Sequence, residues 1–290
     1  MSITDNLNTA PSWVSPVMRV GYSARAATYV ILGALTVLAA WTGGQAEGTS
    51  SALGQLRDTS WGVPVLWAVA VGLFAYALWR LIAAHYDLEL HGSGLKGIVA
   101  RGGLIVTGLI HVGLGVSAAR QAMGGGEGGD SVQSLASWLM QQGEWGKWAV
   151  ATVGLVTIAA GIYYVFKGFR ESYKRHLRET RLSRKLDPAV KVGLVAHGIV
   201  IAIIGIFLAY AGWNADPSQA GGMGLAFEAV RNQPFGRFLL AGLGLGLIAF
   251  AVYCVVEAVY RIIPRCSSGS MHTLAGNFST AWERRLKRFA

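Results

Sequence analysis

Charge is scarce in this sequence. Only 14% of its 290 residues are Asp, Glu, Lys or Arg, against 53% hydrophobic, whereas a soluble domain carries roughly 25% charged residues. Too few polar side chains are present to cover the surface of a water-exposed domain of this length. Cysteine is nearly absent. Cys254 falls inside an apolar run and Cys266 just beyond its end, so no disulfide is expected, and no CxxC or CxxCH occurs, which excludes thioredoxin-like chemistry and c-type haem attachment. The six histidines show no HExxH, HxxxH or HxH spacing, so no metal site is expected. No Ser-His-Asp set with supporting context appears, and no pair of carboxylates shares an apolar run. GGGEGG at 124–129 has no Lys-Ser/Thr after it, and Gly242, Gly244 and Gly246 follow no strand, which excludes a phosphate-cradling loop and a dinucleotide loop.

What is present is hydrocarbon. Six apolar runs, at 19–41, 62–86, 97–121, 146–169, 189–213 and 236–262, each supply the roughly 20 residues that a helix needs to cross a bilayer. The fold expected is therefore all-α, a polytopic membrane protein of six spans. The N-terminus lacks a basic start and a small-residue cleavage site, so the first run reads as a span rather than a cleaved signal. Of the 25 Lys and Arg, 20 lie at the N-terminal end, between runs two and three, between four and five, and after six. By the positive-inside rule both termini are then expected to face the cytoplasm. The net charge of +10 is a topological asymmetry that gives no sign of nucleic-acid binding.

The chain repeats itself. Odd-numbered runs begin G21-Y-S-A-R-A26, G97-I-V-A-R-G102 and G193-L-V-A-H-G198, a shared G-x-x-A-[RH]-[AG]. Even-numbered runs are preceded by A52-LGQLRDTSWG62, A136-SWLMQQGEWG146 and A226-FEAVRNQPFG236, each with an aromatic just before the final Gly. Three tandem helix-loop-helix units follow, related by a pseudo-threefold axis along the membrane normal because each holds two spans. The expected divisions are an N-terminal segment 1–18, repeats at 19–87, 95–170 and 188–263, a basic linker 171–187, and a basic amphipathic tail 264–290. The connections on the outer side should carry short amphipathic segments at Ala52–Leu56, Leu135–Met140 and Leu225–Val230, lying at the interface or capping the bundle. The G-x-x-A-[RH] start, long loop and [WF]-G motif resemble a bacterial membrane-protein family known as domain of unknown function 1206, whose members carry this two-span unit three times. The resemblance spans about residues 19–263 and implies architecture, with no activity to carry over.

Arg25, Arg101 and His197 occupy one position in the three units and should lie at one depth. If these faces point to the axis, they form a basic ring able to hold an anion or a lipid headgroup, since intramembrane ionisable residues are functional candidates by default. The competing reading is structural: snorkelling to headgroups, or capping carbonyls of a neighbouring helix. Asp87, Glu171 and Glu257, at the ends of even-numbered spans, are the expected ion-pair partners. His111 has no counterpart in the other units and reads as a neutral histidine hydrogen-bonded to a neighbouring helix. Ligation of b-type haem by His111 and His197 is a minor alternative, disfavoured by their expected difference in depth; no cofactor is expected.

Small residues such as Gly108, Gly113, Gly115, Gly154 and Gly161 should let helix backbones approach closely. Trp41, Trp61, Trp79, Tyr86, Trp145, Trp148, Tyr163, Tyr164, Trp213, Tyr253 and Tyr260 should mostly form the interfacial aromatic belt. Residues 171–187 and the tail, where Trp282, Leu286 and Phe289 share a side, read as helices lying on anionic lipid. Asp187-Pro188 reads as the N-cap and first residue of the fifth span. Together these residues point to a protein without catalytic machinery that binds a lipid or small ligand, or serves as a scaffold for a membrane or protein partner. The alternatives are a small anion channel or transporter using the ring as its filter, and a haem or quinone redox protein.

Overall fold

The computed structural model describes residues 11–44, 48–125 and 131–263. Trp282, Leu286 and Phe289 lie outside the described residues. The architecture is all-helical, and among the described residues the only β pairing is an isolated bridge between Leu177 and Arg261. Six helices are long and apolar enough to cross a membrane: α1 (Val14–Thr42), α3 (Gly62–His85), α4 (Leu95–Ala122), α6 (Glu144–Phe169), α7 (Arg181–Asn214) and α9 (Gly236–Tyr260). Three short helices occupy the long connections: α2 (Thr49–Arg57), α5 (Ser131–Met140) and α8 (Met223–Arg231). Each covers the amphipathic segment read from the sequence, and Ala52, Ala136 and Ala226 are buried beneath them.

The repeated [WF]-G has a steric cause. A Cβ on Gly62 would lie 1.6 Å from the Leu56 carbonyl oxygen, one on Gly146 1.9 Å from that of Leu139, and one on Gly236 1.8 Å from that of Arg231. Only glycine lets the short helix end against the start of the next span. The same corner is built three times from the same exclusion.

The units pack in a cycle. Each unit's second span lies on the next unit's first: α3 on α4, α6 on α7, and α9 on α1. Within units, α1 packs on α3 and α7 on α9. Helices α4 and α6 share no substantial packing, so the circle has one open seam, inside the middle unit. Close approach elsewhere runs through repeat-equivalent glycines. Gly33 and Gly244 meet backbone to backbone between α1 and α9, and Gly205 and Gly154 do the same between α7 and α6, with virtual Cβ–carbonyl distances of 2.6–2.9 Å. Small residues serve here because hydrocarbon gives helices no hydrophobic reason to associate; dispersion at close range must supply it.

Two sequence expectations are corrected. Residues 171–187 do not form a separate surface helix: 171–180 hold no α-helix and 181–187 belong to the fifth span's helix. Ser172–His176 is a single 3-10 turn, Tyr173 is buried, and Arg178 N–H and Ile262 N–H bond the carbonyls of Tyr260 and His176 at 2.9 and 2.8 Å. The fifth span starts at Arg181 rather than Pro188, because Thr180 and Ser183 form a reciprocal capping box. Pro188 sits about two turns inside, where it removes a single backbone hydrogen bond. Asp187 instead accepts the Tyr173 hydroxyl and pairs with Lys174 at 2.9 Å, which draws the linker onto the bundle. In the aromatic set, Trp41, Trp61, Trp145, Trp148 and Trp213 are exposed, as a belt requires, while Trp79, Tyr253 and Tyr260 are core residues.

Candidate functional site

At the end of the bundle that carries the start of α1 and the end of α9, three arginines are buried together. Arg25 on α1 and Arg80 on α3 share one acceptor, the Tyr76 hydroxyl, at 2.9 and 2.7 Å. Arg80 and Arg261 share a second, the Tyr22 hydroxyl, at 3.4 and 3.2 Å. Both also bond the same oxygen of Glu89, at 2.9 and 2.7 Å, and Arg261 pairs with Glu257. Arg80 and Arg261 are thus neutralised by two carboxylates, Glu257 buried and Glu89 partly buried. Charge-assisted bonds of this kind are what make buried guanidinium groups tolerable.

Glu89 reaches the arginines because the α3–α4 connection folds inward. Asp87 adopts φ +48° and Leu90 φ +57°, and the Asp87 carboxylate accepts the N–H groups of His91 and Gly92, each at 2.8 Å. Leu88 is buried beside it. His91 Nε2 lies 3.3 Å from Glu89. Burial opposes the charged form of Glu89, yet Arg261, the His91 hydrogen bond and Arg80 outweigh it and hold its pKa well below the usual carboxylate value. The Glu89 hydrogen bond raises the His91 pKa above its ordinary value.

Arg25 is different. It is 3% exposed, and its neighbours are neutral: the Tyr76 hydroxyl, Nε2 of His197 at 3.4 Å, and the rings of Tyr29, Tyr76 and Phe250 at 5.0–5.5 Å. Among the described residues no carboxylate pairs with it. Because a guanidinium only donates, His197 Nε2 must accept, which places the His197 proton on Nδ1. That Nδ1 and the Nε of Arg25 are both buried without a hydrogen-bond partner among the described residues. The His197 ring stacks on Phe250 at 3.8 Å, with Tyr29 and Tyr164 edge-on at 5.1 Å each. Buried, unpaired polar groups are rare enough to require a reason.

The expected ring is not formed. Arg25 and His197 meet, but Arg101 turns to the end of α3, where its Nε donates to the Ala84 carbonyl at 2.6 Å and its Nη2 to that of His85 at 3.3 Å. The physical reason is the open seam: α4 lies against α3 without closing on α6, and Arg101 finds the unpaired carbonyls and negative end of the α3 dipole. Arg237 does the same for α1, bonding the Ala40 and Trp41 carbonyls at 3.0 and 3.3 Å. The expected carboxylate partners serve elsewhere. Asp87 shapes its loop, Glu171 pairs with Lys174 and Lys191, and Glu257 pairs with Arg261.

His111 donates Nδ1–H to Thr107, one turn back on its own helix, at 2.8 Å, so its partner is not a neighbouring helix. Its ring lies 4.4 Å from that of Tyr76, which links it to Arg25 and brings it nearer to His197 than helical depth implied. A bis-histidine haem does not fit this pair, since the His197 Nε2 is held by Arg25 and its ring is stacked on Phe250. Arg80, Glu89, Tyr22 and Tyr76 escaped the sequence reading. Arg80, a charge inside an apolar run, was the available signal; Tyr76 stands mid-span, away from the ends where aromatics were sought.

These features define a class: a polytopic membrane protein of three tandem two-helix units with a basic, aromatic-lined polar centre. The family described as Domain of Unknown Function (DUF1206) matches the chain three times, at residues 20–87, 102–171 and 192–261, and the protein belongs to it. An "Uncharacterized protein YxxB" of Bacillus subtilis (strain 168) is 28% identical over 253 residues, covering 86% of this chain and 92% of that one. No solved structure matches. The three matches end at Asp87, Glu171 and Arg261, which makes Arg80, Tyr164 and Cys254 equivalent, and likewise Tyr76, Ala160 and Phe250.

Proposed function

We propose that the protein is a binding protein of the bacterial cytoplasmic membrane, its termini in the cytoplasm, that takes an anionic ligand at Arg25. The ligand chemistry is an oxyanion, a phosphate or carboxylate, borne by a small molecule or by a lipid headgroup. One observation carries the reading: three buried guanidinium groups face one buried carboxylate, Glu257, and one partly buried, Glu89, and among the described residues Arg25 is the one of the three left without a counter-charge. An uncompensated buried charge is costly, and an oxyanion would supply both the charge and the lone pairs for Arg25 Nε–H and His197 Nδ1–H. Neutral tyrosines and a neutral histidine suit recognition of a bound anion.

The test is native mass spectrometry on protein released from membranes with its ligands retained. The expected result is a discrete added mass that Arg25→Gln loses while its oligomeric state and helicity stay unchanged. A phospholipid mass identifies the headgroup source, and a smaller mass a soluble or membrane-dissolved anion. An added mass that survives Arg25→Gln, or none in the unaltered protein, overturns the reading.

A further inference from the structure

The open seam is written into the repeat. In the first unit, a Cβ on Gly21 would lie 2.5 Å from the Cα of Tyr76, and one on Gly72 2.1 Å from the Cβ of Ala24. In the third, a Cβ on Gly193 would lie 2.3 Å from the Phe250 nitrogen, and one on Gly246 2.3 Å from the Cβ of Ala196. These are the same two contacts at equivalent positions, and they close each unit's helix pair. In the middle unit the sequence equivalents of these pairs are Gly97 with Ala160 and Ala100 with Val156. Glycine has become Val156, and that side chain is 62% exposed. A Cβ on Gly97 would lie 2.1 Å from the Gly92 carbonyl oxygen of its own connecting loop, with no atom of the second helix among its nearest neighbours. The pair cannot close because the residue at the closest approach carries an isopropyl side chain where the other units have a hydrogen.

A gap between two spans inside a bilayer fills with hydrocarbon, because apolar walls gain dispersion from any chain that reaches them. The end of the gap is charged. Lys96 and Arg101 stand in the first two turns of α4, and Lys167 and Arg170 at the end of α6, the helix ends on the side of the bundle that holds the arginine centre. Among the described residues none of the four pairs with a carboxylate. Lys167 donates to the Tyr253 hydroxyl at 3.0 Å, Arg101 to the two carbonyls of α3, and Arg170 lies over the Phe166 ring. The adjacent Glu171 is taken by Lys174 and Lys191. Apolar walls below a cluster of four cations match one kind of molecule.

We infer that the seam between α4 and α6 holds an acyl chain of an anionic phospholipid, with its phosphate among Lys96, Arg101, Lys167 and Arg170. This lipid stands on residues apart from Arg25, so the inference extends the anion-binding reading without resting on it. The α4–α6 pair, left unsealed by the protein, is sealed by lipid, and the middle unit becomes the one whose geometry depends on the composition of the membrane.

The experiment titrates detergent-purified full-length protein with phosphatidylglycerol, and separately with phosphatidylcholine of the same chains, read by native mass spectrometry. One phosphatidylglycerol is expected to be retained with about a tenfold preference over phosphatidylcholine, given the attraction of each nearby cation for an anionic headgroup. The triple variant Lys96→Gln, Lys167→Gln, Arg170→Gln is expected to retain both lipids about equally. Val156→Trp, which fills the gap from an exposed position, is expected to lose both. Equal retention of the two lipids by the unaltered protein overturns the inference, as does an undiminished preference in the triple variant or full retention by Val156→Trp. Arg25→Gln separates the two readings: lipid retention that survives it leaves the seam site standing whatever becomes of the Arg25 centre.

Discussion

Repeat-equivalent residues have taken separate duties here, and their surroundings explain why. Arg25 sits where six spans converge and keeps its charge in a cage of tyrosine, histidine and phenylalanine. Arg101 has the same place in the repeat but lies beside an open seam, where the carbonyls ending α3 are the nearest acceptors. Glu89 is drawn inward by a loop whose Asp87 satisfies two backbone N–H groups. Its neighbour His91 makes a pH dependence. The His91 pKa is raised in the folded protein by the hydrogen bond to Glu89, so its contribution to stability is complete below the ordinary value of about 6.5 and is lost as pH rises through the raised one. His91 is partly exposed, so the effect should stay below about 1 kcal/mol. Thermal unfolding in detergent should show a small fall in Tm across that window which His91→Gln abolishes. A slope unchanged in the variant would assign the dependence to another group.

At the scale of elements, glycine decides which helices touch. The corner glycines Gly62, Gly146 and Gly236 were visible as a repeated motif, and the cause, a carbonyl oxygen under 2 Å from any Cβ, appears only in three dimensions. Gly236→Ala should lower stability by at least the 1–3 kcal/mol typical of overpacking, because the clash is with backbone. Gly242→Ala, on the same helix with nothing within 4 Å of its Cβ, should change it by less than about 0.5 kcal/mol. Comparable unfolding temperatures for the two would remove the steric account of the motif. The start of α7 illustrates the limit of local reading: Asp187-Pro188 has the form of a helix start, but the Thr180–Ser183 capping box acts first and the helix runs through the proline.

At the scale of the molecule, three units of like orientation make a cycle with one seam open, and the positive-inside rule predicts that their short connections face the cytoplasm. Ser60→Cys, in the corner after α2, should react with a membrane-impermeant maleimide in intact cells. Ser93→Cys, in the α3–α4 loop, should react only after permeabilisation; both are made with Cys266→Ser. The reverse pattern would invert the topology. The same cycle explains why the centre was only half legible. Arg25 and His197 were found by their shared repeat position, whereas Arg80 and Glu89 join them through a loop conformation that no spacing reveals.

The sequence by itself determined that the chain spans a membrane six times and does so as three copies of one unit, because hydropathy and repetition are properties read along the chain. Tertiary structure decided which arginine is left without a counter-charge and which helix pair stays apart. Those outcomes depend on distances of a few ångströms between residues up to 239 positions apart, such as Tyr22 and Arg261. At that range one valine in place of a glycine, or one loop turned inward, redirects a charge that the repeat alone would have placed on the axis.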